Sequence, residues 1–446
     1  MPSPVSRRDA LKIGAAAAAL PLVHIRSGRA AGKLSLAFWD HWVPDGDKVM
    51  QKQVETWAAK NQVEVSVDFI TSNSNKLLMT GVAEAQAKTG HDMFTFLNWE
   101  VFNRRDDLAP VDDVMDALIK QYGEVDGSAA YLAKPKDHWI AVPTSSGSQV
   151  KGPCARISWM KAHGFDPVAA YPVKPENTAL ADQWNYDLLM KLAEEAKKDG
   201  MTFALGCGGP ANTDGTDQIG ASFTAFGGKL IDRDNKIQLE APEMQQALEW
   251  WAKYVKFMPE DAQSYDDASN NRALISGKSA LIFNPPSAWA VARRDAPDVA
   301  KDCWTFSSPV GPKGRILPAQ FWFWGVWKFS KNQSAAKDVI AYLSQREQVE
   351  ERDGKVLGYD IPPFLSMRDF KVWEEVEPPK GTVYNYPIRP WHHAQSNLAA
   401  SEAAPEVAVQ IYQNGLHNGM IARLKEGQSV KQVTAWAKDQ IEGFLT

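Results

Sequence analysis

Between residues 33 and 97 the apolar residues of the chain switch repeatedly between a period of two and a period of about 3.6. Lys33–Trp39 and Val63–Phe69 alternate as strands do, and Asp92–Leu97 is a short apolar strand. Asp47–Lys60 and Leu77–Lys88 each place their apolar residues on one helical face. This β-α-β-α-β order predicts the α/β fold class, with a parallel sheet flanked by helices.

The predicted strands end in polar and aromatic residues. Right-handed crossovers place ligand sites at the carboxyl ends of parallel strands, where such residues suit a small-molecule cleft. The residues at the ends of the three strands are Trp39, Asp40, His41 and Trp42, then Thr71 to Asn75, then Asn98, Trp99 and Glu100.

The middle of the chain repeats the alternation. Trp139–Val142, Phe203–Leu205 and Ser279–Phe283 are predicted strands, and Tyr186–Lys198 and Pro242–Phe257 are predicted helices. Each half stops short of a complete domain. Two α/β lobes with several chain crossings between them therefore explain the pattern most economically.

The first 31 residues resemble a twin-arginine export signal. Ser6-Arg7-Arg8-Asp9-Ala10-Leu11-Lys12 precedes a mild apolar run over residues 13–23 and then small residues near position 31. The apolar run is far shorter than the roughly 20 residues that span a bilayer. We therefore expect the mature protein to be exported to the periplasm, soluble and without a lipid anchor.

The charge balance argues against nucleic-acid binding. The chain has 49 basic and 54 acidic residues, and no basic run follows the N-terminal segment. Residues 1–31 hold five basic residues and one acidic residue, so without them the formal net charge falls from −5 to −9. A net negative charge favours solubility and disfavours adhesion to anionic membranes.

Catalytic and metal-binding motifs are missing from the sequence. There is no nucleophile elbow, zinc-protease motif, P-loop or dinucleotide-binding glycine motif, and the histidines lack metal-ligand spacing. Cys154, Cys207 and Cys303 are widely spaced, so we expect three buried residues and at most one disulfide. No cofactor and no metal are therefore expected.

Six stretches of the chain, in the right order, resemble the extracellular solute-binding family 1 of ABC importers, the carbohydrate-binding type related to maltose-binding protein. They are Leu34–Trp39, Phe223–Asp232, Ala241–Trp250, Asn271–Leu281, Asn284–Trp289 and Ser330–Lys337. One family strand is replaced by Cys154–Met160, so contacts from that strand cannot be transferred.

The resemblance implies a two-lobed periplasmic binding protein fold of type II, whose discontinuous lobes close over a ligand around hinge crossings. It also implies a monomer that delivers a sugar or polyol to the transmembrane subunits of an ABC permease. We expect crossings near residues 143–148, 280–285 and 344–348. The expected N-terminal lobe comprises 32–143 and 284–345, and the C-terminal lobe comprises 144–283 and 346–446.

The 17 Trp residues exceed the 11 Tyr residues, and flat aromatic faces suit the apolar side of a sugar. Polar side chains would bind its hydroxyl groups. Trp289 is the first candidate, because it matches a Trp position of the family. The candidate ligand-binding residues are Trp39, Asp40, His41, Trp42, Trp99, Glu100, Thr144, Ser145, Asn212, Asp214, Asn284, Trp289, Gln320, Trp322, Trp391 and His392.

Two functions stay open at this point. A binding protein for a carbohydrate or polyol accounts for the export signal and the missing catalytic motifs. A periplasmic glycoside hydrolase or lyase would also use Trp platforms, but it needs two carboxylates directed at one bond. The candidate rims contain little Lys or Arg, which favours a neutral ligand over a phosphate or carboxylate.

Overall fold

We describe the protein from a computed structural model, which covers residues 33–171, 176, 178–283, 287–372 and 395–446. The predicted export signal, residues 1–31, lies outside the described residues. In the part of the chain that is described, no helix is long and apolar enough to cross a membrane.

A first sheet has the strand order β11-β10-β3-β1-β2, and β4 and β9 also pair with β10. The pairings β1–β2 and β1–β3 are parallel, as the β-α-β-α-β pattern predicts, whereas β10 runs antiparallel to β3 and β4. Its strands are β1 (Leu34–Trp39), β2 (Val65–Ile70), β3 (Met93–Leu97), β4 (Val142–Val150), β9 (Val310–Gly311), β10 (Gly314–Val326) and β11 (Gln395–Asn397).

A second sheet has the order β6-β7-β5-β8 and contains only residues from the middle of the chain. The pairing β6–β7 is parallel, and β5 runs antiparallel to both β7 and β8. Its strands are β5 (Pro153–Arg156), β6 (Thr202–Ala204), β7 (Ser279–Phe283) and β8 (Cys303–Thr305). Two sheets in one chain confirm the predicted α/β architecture with two lobes.

Helices flank both sheets and bury their apolar faces in a common core. The helices are α1 (Pro44–Asn61), α2 (Lys76–Ala87), α3 (Trp99–Asn103), α4 (Asp112–Tyr122), α5 (Gly127–Ala133), α6 (Ile157–Ala162), α7 (Pro167–Ala170), α8 (Thr178–Ala181), α9 (Tyr186–Lys198), α10 (Thr213–Phe226), α11 (Pro242–Tyr254), α12 (Ser269–Ile275), α13 (Ser287–Asp295), α14 (Pro297–Ala300), α15 (Gln333–Leu343), α16 (Arg346–Lys355), α17 (Pro405–Gln413), α18 (Leu416–Lys425) and α19 (Val430–Phe444).

The sheet pairings differ from the predicted crossings. The strand β4 runs through the predicted first crossing to Val150, so the chain leaves the first sheet just before Lys151. The strand β8 pairs with β5 in the second sheet, so we propose that the second crossing lies within 306–313, a segment that includes the short strand β9, and not near 280–285. The helix α16 packs against α1 of the first lobe, and Arg352 Nη1 donates to Gln53 Oε1 at 2.7 Å. We therefore propose that the third crossing follows residue 355.

We therefore propose revised lobes. The first lobe comprises residues 33–150 and 314–355, and the second comprises 153–305 and 405–446. These proposed boundaries differ from the predicted ones because a continuous apolar strand such as β7 carries no signal for which sheet it joins.

Candidate ligand-binding cleft

A cleft with a volume of about 610 Å³ lies between the two lobes. This volume falls within the range of about 300–1,000 Å³ that small-molecule sites occupy. First-lobe residues line one wall, and residues near α10 and α12 line the other. The site-residue candidates that line the cleft are Trp39, Trp42, Trp99, Glu100, Asp214, Gln320 and Trp322.

Two indole rings form an aromatic platform on the first-lobe wall. Trp39 ends β1 and Trp322 lies on β10, and their ring centroids are 4.7 Å apart with the planes 27° from parallel. Trp39 Nε1 donates to Ser72 Oγ at 3.1 Å, which fixes the ring against the segment after β2. The sheet register thus holds a rigid apolar surface at the carboxyl ends of the strands, as the sequence predicts.

Gly147 makes room for this platform. Its φ of +86° lies in the left-handed region, and an added Cβ would lie 2.6 Å from Trp322 Nε1. Its N–H donates to Asp360 Oδ1 at 2.9 Å, while the Trp322 N–H donates to Ser148 Oγ at 3.0 Å. Only glycine fits this close approach without displacing the Trp322 ring.

The second-lobe wall is built on the first turn of α10. Asn212 caps this helix, because its Oδ1 accepts from the Gly215 N–H at 2.7 Å. The next two residues, Thr213 and Asp214, line the cleft. The Asp214 N–H and the Thr213 hydroxyl donate to the two carboxylate oxygens of Asp267 at 3.1 and 2.8 Å.

Lys151 connects the interlobe crossing to this wall. Its buried ammonium lies 2.9 Å from Asp214 Oδ1 and 2.7 Å from Asp217 Oδ2. Its main-chain N–H donates to Pro318 O of the first sheet, and its carbonyl accepts from Gln218 Nε2 of α10. Burial disfavours the charged ammonium, but Asp217 and Asp214 raise the pKa of Lys151 above its ordinary value.

Two carboxyl groups of the cleft have pKa values near neutrality. Burial raises the pKa of Glu100 to about 7. Burial, with the nearby charge of Asp214, likewise raises the pKa of Asp267 to about 7. Removal from water disfavours the ionised form in both cases.

Several predicted residues do not line the cleft. Trp289, the first candidate of the sequence, is fully buried inside the second lobe and is not among the residues that line the cleft. Asp40 is exposed outside the cleft, and Asn212 serves as the helix cap. Asn284, Trp391 and His392 lie outside the described residues.

His41, Thr144 and Ser145 are buried behind the cleft wall. His41 Nε2 lies 3.0 Å from Asp360 Oδ1, and the His41 ring packs edge-on to Tyr359 at 4.9 Å. These residues lie behind the wall and are not among the lining residues. The prediction placed His41 at the end of a strand and the other two near a crossing, but it could not give the direction of their side chains.

The sequence missed several lining residues, of which Gln149, Asp267, Tyr359 and Tyr412 are polar and central. Gln149 could have been found, because the period of β4 places it beside Gln320 of β10. Tyr359 and Tyr412 come from distant parts of the chain and gave no sequence signal. Within the described residues, no group of three His, Cys, Asp or Glu side chains could hold a metal ion.

A family model described as a bacterial extracellular solute-binding protein matches residues 28–378. The chain belongs to this family. Its members bind solutes, so the chain is a binding protein and not an enzyme. A search of curated proteins gave no match.

Solved structures share the fold at low sequence identity. Maltose-bound MalE3 of T. maritima is 18% identical, with a TM-score of 0.71 over 93% of this chain and 100% of that one. The acarbose-binding GacH receptor of Streptomyces glaucescens is 17% identical, with a TM-score of 0.72 over 94% and 99%. A sugar transporter from Arthrobacter chlorophenolicus with bound laminaribiose is 15% identical, with a TM-score of 0.70 over 92% and 99%.

Proposed function

We propose that this solute-binding protein captures a neutral carbohydrate or polyol in the interlobe cleft and delivers it to the membrane permease of an ABC importer. It would act in the periplasm as a monomer, after export directed by residues 1–31. The similar solved structures with bound maltose, acarbose and laminaribiose support the ligand class by analogy of fold.

The facing walls of the cleft carry this proposal. A sugar ring has an apolar face and a rim of hydroxyl groups, so it needs a flat aromatic surface and polar groups around it. The stacked pair Trp39 and Trp322 supplies the surface on one lobe. Thr213 and Asp214 supply hydrogen-bonding groups on the other.

The two lobes would close over the ligand by bending at the crossings, at residues 151–152 and 306–313. A ligand that touches both walls stabilises the arrangement in which the lobes are close, and a permease can then recognise the closed form. Lys151 holds the first crossing to α10, so the second-lobe wall would move together with that crossing.

The test is a thermal-shift and Trp-fluorescence titration of the purified mature protein against sugars, polyols and glycerol phosphates. A ligand present at 100 times its Kd stabilises the folded state by about 2.7 kcal/mol. We expect a neutral sugar or polyol to bind without turnover.

The variant W322F should weaken that binding, and its matched control is W159F. Trp159 packs against His163 on the surface of the second lobe, away from the cleft. Turnover of the ligand, or no binding by any of the three classes, would overturn the proposal.

A further inference from the structure

The charges that line the cleft are unbalanced. Glu100, Asp214, Asp266 and Asp267 line it, whereas Arg104 is the one basic residue among the described lining residues. Asp214 pairs with Lys151 at 2.9 Å, and Asp266 pairs with Arg272 at 3.2 Å. Across the described part of the chain, Glu100 and Asp267 have no cationic partner within 4.0 Å, and they lie on opposite walls.

Glu100 has few protein partners in the described structure. The Leu97 N–H donates to its carboxylate at 3.4 Å, and the neighbouring Arg104 is directed to Asp107 at 3.5 Å. Asp267 accepts two good hydrogen bonds, but the charges near it are Asp214 and the already paired Lys151. Both side chains are half-buried at the cleft, where an approaching cation stabilises a carboxylate that is partly removed from water.

A buried polar side chain in the lining extends this pattern. Gln149 is 3% exposed, and its Oε1 has no hydrogen-bond partner at standard distance and angle among the described residues. This oxygen can accept a hydrogen bond from a hydroxyl group, either of a ligand or of the neighbouring Tyr359.

The aromatic lining favours a cation as well. The indole faces of Trp39, Trp42 and Trp322 line the same cleft as the two carboxyl groups. Aromatic faces attract ammonium groups through their quadrupole, most strongly when the site is desolvated.

We infer that the ligand is an amino-substituted carbohydrate, whose protonated amine faces Glu100 and Asp267 when the lobes close. Its hydroxyl groups would meet polar side chains of the lining such as Gln149 and Gln320. This inference rests on the proposed capture of a carbohydrate in the interlobe cleft, and it departs from that proposal in one property, the charge of the ligand.

The experiment compares matched sugars by isothermal titration calorimetry at pH 6. Each set holds one parent sugar, its amino derivative, the N-acetylated amine and the uronic acid, for glucose, galactose and mannose and for disaccharides built from them. We expect the best amino sugar to bind on the order of tenfold to hundredfold more tightly than its neutral parent, as charge-assisted hydrogen bonds allow. The uronic acid should bind weakest.

Proton linkage gives a second readout on the unmodified protein. At pH 6 the carboxyl groups of Glu100 and Asp267, with pKa values of about 7, are largely protonated. A bound ammonium favours their ionised forms, so binding should release on the order of one proton per ligand, measured in buffers of different ionisation enthalpy. The neutral parent should release none.

The isosteric variants E100Q and D267N should bring the affinity for the amino sugar down to that for the neutral parent. The surface variant D298N, whose side chain is 93% exposed, should leave the difference intact. If the neutral parent binds as tightly as the amino sugar, the inference is wrong and the carbohydrate function stands. If no member of any set binds, the inference is wrong, and the titration against other sugars, polyols and glycerol phosphates decides the proposed function.

Discussion

Replacement of Lys151 by Met should destabilise the protein far more than the loss of an ordinary surface ion pair. The ammonium of Lys151 is fully buried and lies 2.9 Å from Asp214 and 2.7 Å from Asp217. Removing one member of a buried ion pair costs about 3–5 kcal/mol, because a buried charge remains without compensation. K151M should therefore lower the free energy of unfolding in urea by about 3–5 kcal/mol.

The matched control is K337M. Lys337 lies 2.9 Å from Asp113, and their side chains are 17% and 46% exposed, so water reaches this pair while it does not reach Lys151. Ion pairs that water reaches contribute about 1 kcal/mol or less. The double variant K151M/D217N should recover part of the loss, because it removes one of the uncompensated carboxylates. Trp fluorescence and circular dichroism would follow the urea transitions of all variants.

The pH dependence separates a lost charge from lost packing. Burial already raises the pKa of Asp217 in the wild type, and the loss of Lys151 should raise it further. A carboxyl group with a raised folded-state pKa destabilises the fold at pH values where it is ionised in the unfolded state. The loss of unfolding free energy in K151M should therefore shrink as the pH falls from 8 to 5. A deficit no larger than that of K337M, or one independent of pH, would refute the reasoning.

The remaining predictions concern the platform, its support and the cleft carboxyl groups. W289A should lower the free energy of unfolding by about 3–5 kcal/mol, because Trp289 is fully buried. W289F should bind ligand as the wild type does, and a loss of affinity in W289F would indicate that Trp289 contacts the ligand. G147A should weaken ligand binding and cost about 1–3 kcal/mol in urea, since its Cβ would meet Trp322 Nε1 at 2.6 Å; unchanged affinity would show that the Trp322 ring tolerates displacement. Unliganded wild-type protein should lose stability as the pH rises from about 4 to about 7 and should level off above 7, because Glu100 and Asp267 ionise earlier in the unfolded state than in the folded state. The double variant E100Q/D267N should show a flatter profile in a pH series of melting temperatures, and identical profiles would contradict these pKa shifts.

Local structure could be predicted from the sequence, because periodicity reports burial along one element. The helix predicted at Tyr186–Lys198 and the strand at Ser279–Phe283 have the predicted bounds. The lobe boundaries could not be predicted as well. They depend on which strands pair, and the pairing of β8 with β5 joins residues about 150 positions apart without a local signal.

The site was predicted in part for a similar physical reason. Trp39, Glu100 and Trp322 line the cleft, because the carboxyl ends of parallel strands and the long strand β10 meet at one edge of the first sheet. Trp289 was misplaced, because a motif position gives no side-chain direction. Lys151 is absent from the predicted site, although its burial between Asp214 and Asp217 makes it the organising charge of the second wall.

A crystal structure of the protein with its tightest-binding carbohydrate would test the central proposal most directly. We predict one ligand molecule between the two lobes, with a sugar face on the Trp39–Trp322 platform and polar contacts to Asp214 and Asp267. A ligand bound outside the interlobe cleft, or inside it without contact to either wall, would contradict the proposed site.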